Sequence, residues 1–398
     1  MKPAPRADHM TRLTTSKQIE NAGRFELAVV GAGVVGLATA LAGVVRGLRV
    51  VVIDRDAQAN GASVRNFGFI TVTGQERGRM WQRARRTREV WRQVCSEADI
   101  PVLHTGLWML VRRPESVQVL EAFLGTEMAA GCRLMSATEA RQRCPSLPAP
   151  DLMAVLESTT ELRVESRTAI PRLAAWLEEA RGVTFLRNTS VLEIDAPKVN
   201  TSRGELCATH VAVCPGDDFS GLYAGRLASF GLTRCKLQML RLASPGFRLP
   251  GALMSDLGLG RYGGYAALEA AAPLKERLAR EQPEHLRNGI HLIVVQSADG
   301  SLVVGDSHHY AATPDPFGSG TVDELILEEF RAALGIAPPP VLDRWIGTYA
   351  SAPDRAVLLD APHPSVRLAI VTCGAGASTG FANGEEIVAS LLDPGASP

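Results

Sequence analysis

The segment Phe25-Glu-Leu-Ala-Val-Val-Gly31-Ala-Gly33-Val-Val-Gly36 constrains this chain more than any other. An apolar run passes into glycines spaced G-x-G-x-x-G, then into a helical pattern from Leu37 to Arg46. Past Gly47 come a second apolar run, Val50 to Ile53, and Asp54. Strand, glycine turn, helix, strand and acid, in that order, make a dinucleotide-binding unit. Gly31 permits the tight turn, Gly33 admits a pyrophosphate to the main chain, and Gly36 lets helix and strand pack closely. The helix N-terminus around Val35 offers free N–H groups and a partial positive charge. Asp54, 21 positions beyond Gly33 and followed by Arg55, is placed for a ribose hydroxyl. The competing reading is a buried α/β turn that merely needs glycine.

Composition narrows the rest. The 398 residues are 46% hydrophobic and 21% charged, with a formal net charge of zero, which suits a globular protein and gives no overall nucleic-acid footprint. The local run Arg77, Arg79, Arg83, Arg85, Arg86, Arg88, Arg92 reads as a solvated helix face. Seven scattered cysteines without a C-x-x-C pair argue against a disulfide framework or zinc site and fit a reducing, cytoplasmic location. No apolar run approaches the ~20 residues of a membrane span. Residues 1–23 lack the apolar core of a secretory signal and read as a flexible extension.

Along the chain, helices are expected over Arg77 to Ala98, Glu115 to Gly131 and Ala137 to Cys144, making the middle block look like a helical insertion. Ala169 to Ala180 reads as an amphipathic helix with Pro171 in its first turn. Strands are expected at Val183 to Leu186, Ser190 to Ile194 and Leu206 to Cys214. Others are expected at Lys236 to Leu242, Gly289 to Gln296 and Ser301 to Gly305, with a hairpin at Ala298-Asp299-Gly300. A last strand, Val366 to Thr372, enters Gly374-Ala-Gly376-Ala377-Ser378-Thr379-Gly380 before a helix at Asn383 to Leu392. Strand–glycine–helix units at both chain ends suggest one nucleotide domain built from both termini.

Together these segments resemble the D-amino-acid oxidase superfamily of FAD-dependent amine oxidoreductases, which includes glycine oxidase and sarcosine oxidase. The similarity runs from Phe25 to Leu392. It includes the loop Ala62-Ser63-Val-Arg65-Asn66-Phe-Gly68, the segment Arg163-Val-Glu165-Ser-Arg167, Val191, the turn Cys214-Pro-Gly216, the element Trp345-Ile-Gly347-Thr-Tyr349, and Gly374 to Phe381. The resemblance implies FAD rather than NAD. It implies cofactor contacts from Gly31, Gly33, Val35, Gly36, Asp54, Arg55, Ser63, Arg65, Asn66, Gly68, Val191, Cys214, Gly216, Gly374, Gly376, Ala377, Ser378 and Thr379. The fold it implies is α/β: a Rossmann-type FAD-binding domain (24–80, 152–222, 343–395) and an α+β substrate domain with a mainly antiparallel sheet (81–151, 223–342).

Departures from the family pattern bear on the substrate. Tyr349 stands where glycine oxidases carry a carboxylate-binding arginine, and Gly347 where sarcosine oxidases attach flavin through cysteine, so FAD is expected to be non-covalent. The segments around Lys236-Leu-Gln238, Arg261-Tyr262-Gly-Gly-Tyr265, Gln296 and Gly305-Asp306-Ser-His308-His309-Tyr310 resemble a branch linked to aminophosphonate breakdown. The expectation is therefore oxidation of a C–N bond in a small secondary or N-methylated amine, with hydride transfer to flavin, imine hydrolysis, and reoxidation by O2 or another acceptor. Tyr349, His308 and Tyr262 are the candidate catalytic residues, and Arg261, Tyr265, Gln296 and Tyr310 the candidate substrate contacts. No metal is expected, because the adjacent histidines lack further ligands at useful spacing. An amino-acid oxidase, a 2-hydroxy-acid dehydrogenase and a non-catalytic flavin protein remain alternatives.

Overall fold

Both chain ends enter one sheet. The computed structural model describes residues 24–393, so the extension expected over 1–23 lies outside the described residues. The first sheet runs Val357–His363, Val366–Val371, Gly204–Val213, Arg24–Val30, Val50–Ile53, Thr184–Leu186, with Val191–Asp195 and Lys198–Thr201 beside Gly204–Val213. Its central strands are parallel, with Ala28 in register with Val51 on one side and Val211 on the other. Burial on both faces explains why the run Val50–Ile53 carries no polar alternation.

Helix Val34–Val45 covers this sheet beside helix Gly376–Leu392. Their approach is close enough that a Cβ on Gly384 would lie 2.5 Å from the Ala38 carbonyl carbon. The C-terminal helix starts seven residues before the expected Asn383. Its first turns are rich in glycine and small residues, which carry little helical signal.

Helix Arg79–Glu97 crosses the same C-terminal helix. Its arginines are not simply a solvated face: Arg83 pairs with Glu386 at 2.6 Å and Arg86 with Glu385 at 2.7 Å. The other side of this helix buries Trp91, whose ring meets Phe381 edge-on with centroids 5.0 Å apart.

The second sheet runs His309–Ala311, Thr233–Leu242, Leu302–Gly305, Ile293–Gln296, Ala252–Ser255, Val102–Val111, Ala154–Val164, Phe69–Ile70. Val341–Ser351 pairs along Thr233–Leu242, and Cys132–Ser136 along Ala154–Val164. Pairing is antiparallel except between Ala252–Ser255 and Val102–Val111. The expected hairpin is present, with Val295 opposite Val303. The expected helical insertion is corrected, since the middle block also contributes the strands Val102–Val111 and Cys132–Ser136. The run Trp108 to Val111 is buried throughout, and a continuous apolar run does not separate strand from helix by periodicity. Segments 69–70, 154–164 and 343–351 hydrogen-bond within this second sheet, although they were expected on the cofactor side.

Candidate active site

A cavity of about 550 Å³ opens where the two sheets meet, between the first and last glycine turns. Val34, Val35 and Ser63 line one side, Gly374, Gly376, Ala377 and Ser378 another, and Arg261, Tyr262, His291, Asp306, His308 and Tyr349 a third.

The glycines are dictated by contact. A Cβ on Gly36 would stand 1.9 Å from the Gly31 carbonyl oxygen, and one on Gly31 2.4 Å from that of Cys214. Gly31 also has φ of +103°, a region that side chains disfavour. The turn thus lies flat against the neighbouring strand end and exposes the start of helix Val34–Val45. Ser63 Oγ accepts from the Val34 N–H at 2.9 Å, and Asp54 accepts from the Ala32 N–H at 2.6 Å and the Asp56 N–H at 2.8 Å. Asp54 lines a separate cavity of about 180 Å³ with Ala32, Gln58 and Pro171.

The C-terminal turn is fixed equally firmly. Trp91 Nε1–H donates to the Ala377 carbonyl at 2.9 Å, and Ser378 Oγ accepts from the Thr71 N–H at 2.9 Å. The 62–68 loop is closed by Asn66, which donates to the Ala62 carbonyl and accepts from the Gly68 N–H, both at 2.7 Å. Trp345 Nε1–H donates to the Arg65 carbonyl at 3.1 Å.

The third wall is polar. Arg261 Nη2–H donates to Tyr310 Oη at 3.0 Å, and among the described residues no carboxylate pairs with Arg261. Burial by itself disfavours its charge, but Tyr310, Tyr349 and Asp306 nearby more than compensate and raise its proton affinity. Asp306 is buried and its carboxyl is pushed up to about 7 by that burial, with Arg261 opposing. His291 and His308 are held well below the usual imidazole range, by burial first and Arg261 second. Burial likewise raises the Tyr262 and Tyr349 hydroxyls. The rings of Tyr262, His291, His308 and Tyr349 follow one another at centroid spacings of 5.5, 4.9 and 6.4 Å.

Of the expected cofactor residues, Val35, Ser63, Arg65, Asn66, Gly68, Gly216, Gly374, Gly376, Ala377 and Ser378 line the cavity. Gly31, Gly33, Gly36 and Cys214 shape its turns, Arg55 pairs with Asp218, and Val191 lies on a strand away from it. Thr379 is buried and donates to the Ala375 carbonyl, so it stabilises the helix start. Of the expected substrate residues, Arg261, Tyr262, His308 and Tyr349 line the cavity and Tyr310 reaches it through Arg261.

Two expectations are corrected. Tyr265 is 1% exposed and packs on Phe123 and Gly74, because its helix turns it into the core. Gln296 is spent inside the hairpin, accepting from the Leu249 N–H and donating to the Phe247 and Gly300 carbonyls. His309 faces Asn288, not His308's neighbours. His308 does gain company at a distance in sequence: one of its ring nitrogens, a His291 ring nitrogen and an Asp306 carboxylate oxygen all lie within 4.8 Å of one another. His291 and Trp91 were missed, His291 as a lone polar residue in an apolar run and Trp91 as a core residue in an arginine-rich helix. Asp306 lies in the string Gly305 to Tyr310 but was given no role there.

The residues present suit FAD. Two helix N-termini and the Arg65 side converge on one space, where phosphates and an electron-rich ring system find donors and positive charge. Phe67, Phe69, Trp91 and Leu237 give that space an apolar lining for a planar ring. Among the described residues, no helix is long and apolar enough to cross a membrane.

Residues 26–390 match the family model DAO, FAD dependent oxidoreductase. Among solved structures, the chain is similar to glycine oxidase from Bacillus cereus ATCC 14579, with 14% identity over 94% of this chain and 96% of that one, and a TM-score of 0.74. It is also similar to L-proline dehydrogenase from P. horikoshii, with 18% identity over 94% and 95% and a TM-score of 0.73. A third, L-alpha-glycerophosphate oxidase from Mycoplasma pneumoniae with FAD bound, shares 15% identity over 93% and 95% with a TM-score of 0.70. These likenesses show a common fold. No curated protein matches the sequence.

Proposed function

The chain belongs to the DAO family of FAD-dependent oxidoreductases, and we propose that it oxidises the C–N bond of a small amine that also carries an acidic group. The observation that supports this most is Arg261. It is a cation lining the cavity, bonded to Tyr310 and without a carboxylate partner among the described residues, beside the cluster of His291, Asp306 and His308. Such a site suits a molecule with an anion at one end and a nitrogen at the other. N-methylated aminoalkylphosphonates lead the candidate substrates, ahead of α-amino carboxylates.

Bound FAD supplies a two-electron acceptor for hydride. The protein's own part is placement. Arg261 and Tyr310 hold the acidic group, and the Tyr349 hydroxyl, kept protonated by burial, donates rather than accepts. Tyr262, His291 and Tyr349 form a ring wall that limits water around the reacting carbon. Loss of hydride from the α-carbon leaves an imine, which water hydrolyses to a carbonyl compound and the released amine. We assign FAD a non-covalent attachment, because Gly347 offers no thiol; release of the flavin on denaturation checks this, and Cys373 is the cavity-lining thiol that would otherwise be attached.

The test is anaerobic mixing of purified holoprotein with N-methylated aminophosphonates, amino acids, simple amines and 2-hydroxy acids, following the visible flavin absorbance. Bleaching by acidic amines supports the reading. Bleaching by hydroxy acids alone overturns it, and bleaching by no compound favours a non-catalytic flavin protein.

A further inference from the structure

Within the polar wall of the cavity, three buried side chains with acceptor atoms stand together. Asp306 and His308 follow the strand Leu302–Gly305, and His291 precedes Ile293–Gln296. They are 5%, 7% and 3% exposed. Asp306 Oδ1 lies 3.5 Å from His291 Nε2, and Oδ2 lies 3.6 Å from His308 Nε2. Both distances exceed a hydrogen bond. His308 Nδ1 is 2.8 Å from the Gly289 carbonyl, so Nδ1 carries the proton and the Nε2 lone pair faces Asp306. Asp306 Oδ1 is buried without a hydrogen-bond partner among the described residues. A buried carboxylate beside such a lone pair is incomplete without a donor.

We propose that this triangle receives the protonated nitrogen of the substrate and that Asp306 takes one of its protons. The proposal rests on the amine reading above. In the step, one N–H bond of the ammonium breaks and an O–H bond forms on Asp306. The electron pair stays on nitrogen, and the positive and negative charges cancel. The nitrogen lone pair then supports departure of hydride from the adjacent carbon to oxidised FAD.

Several charged or titratable groups face Asp306: Arg261 and Tyr262 from the turn at 261–262, His291, His308 on its own loop, and Cys235 from the strand Thr233–Leu242. Arg261 weakens the proton affinity of Asp306, His291 and His308 alike. A fixed positive charge beside the triangle opposes a divalent ion more than a monocation that gives up a proton. The Asp306 carboxyl, raised to about 7, is poised to accept a proton near neutrality without keeping it indefinitely.

The binding test uses dimethylammonium, which carries two N–H donors, against tetramethylammonium, which has the same charge and none. Both are titrated into wild-type holoprotein while the flavin spectrum is followed. Dimethylammonium is expected to bind at least tenfold more tightly, with affinity rising as pH passes about 7. Equal binding of the two ions, or no binding of dimethylammonium, overturns the proposal without any variant. Asp306→Asn is expected to lose tenfold or more in dimethylammonium affinity, and His308→Gln a smaller part. If binding disappears on chelator treatment, the triangle belongs to a metal ion and the proposal fails.

A kinetic arm uses N-methyl-2-aminoethylphosphonate. The ascending limb of the flavin-reduction rate should lie near pH 7 in wild type. In Asp306→Asn it should move toward the amine's own value, roughly 10, with about a hundredfold or greater loss at pH 7. Superimposed profiles overturn the proposal. Should dimethylammonium bind as described while no amine bleaches the flavin, the amine-oxidation reading falls and the triangle stands.

Discussion

A Cβ on Gly374 would stand 2.9 Å from Cζ of Tyr349, so the cavity tyrosine fits only against a residue without a side chain. Gly374 also has φ of +76°. Gly374→Ala is expected to displace Tyr349 and cost about 1–3 kcal/mol in stability. It should also lower affinity for the acidic amine about tenfold. Thermal unfolding and a flavin-bleaching titration measure the two effects, and an unchanged affinity would remove Tyr349 from the pocket.

Arg261 is expected to act on binding more than on the chemical step. A charge-assisted hydrogen bond contributes about 1.5–3 kcal/mol, so Arg261→Gln should raise the apparent dissociation constant for an acidic amine about tenfold to a hundredfold. The same variant should change affinity for an uncharged amine little. A parallel loss for both compounds would show that Arg261 supports the cavity rather than reads an anion.

Trp91 reaches the site through its Nε1–H to the Ala377 carbonyl. Trp91→Phe keeps an aromatic ring against Phe381 and removes that bond, which should cost about 1 kcal/mol. Because Ala377 belongs to the turn lining the cavity, the loss should appear as weaker FAD retention on dilution. Equal retention in the variant and wild type would reduce Trp91 to a packing residue.

Burial of neutral histidines gives the fold a pH dependence. His104, pushed down to about 4 by burial and Arg163, joins His291 and His308 in having depressed folded values. Unfolded histidine titrates near ~6.5, so below that value the unfolded chain binds protons that the native chain refuses. Their stabilisation is present above that value and lost as pH falls through it. Asp306 has the opposite sign: its raised folded value stabilises fully at low pH, and this contribution is lost as pH rises toward about 7. His210 and His309 are lowered as well, so near pH ~5.5 the histidines outweigh Asp306 and unfolding takes up protons. The melting temperature should therefore fall from pH 7 to pH 5. His291→Gln with His308→Gln should flatten the slope, and Asp306→Asn should steepen it. Identical slopes in all three proteins would refute the neutral-histidine assignment.

The parts of the molecule legible in sequence were those where covalent geometry leaves few options. The turn at Gly31 and Gly36 tolerates no side chain, so its chemistry was written in consecutive residues. The hairpin at 298–300 announced itself for the same reason. The strand Val102–Val111 did not, because its buried apolar run has no period to read. The polar wall was only half legible: His308 and Arg261 stand in distinctive local strings, but His291 meets Asp306 only because two hairpin strands lie side by side. Tyr265 misled because a local pattern does not say which way a short helix turns its ring.

The interlock of helix Gly376–Leu392 with Val34–Val45 and Arg79–Glu97 sets an order on biogenesis. During translation the opening glycine turn leaves the ribosome long before its cover, the Gly374–Ser378 turn. The nascent chain must therefore keep the apolar faces of its first helices from aggregating until that downstream helix has emerged. A chain cut before Gly374 would accordingly carry the opening glycine turn and no closed nest for flavin.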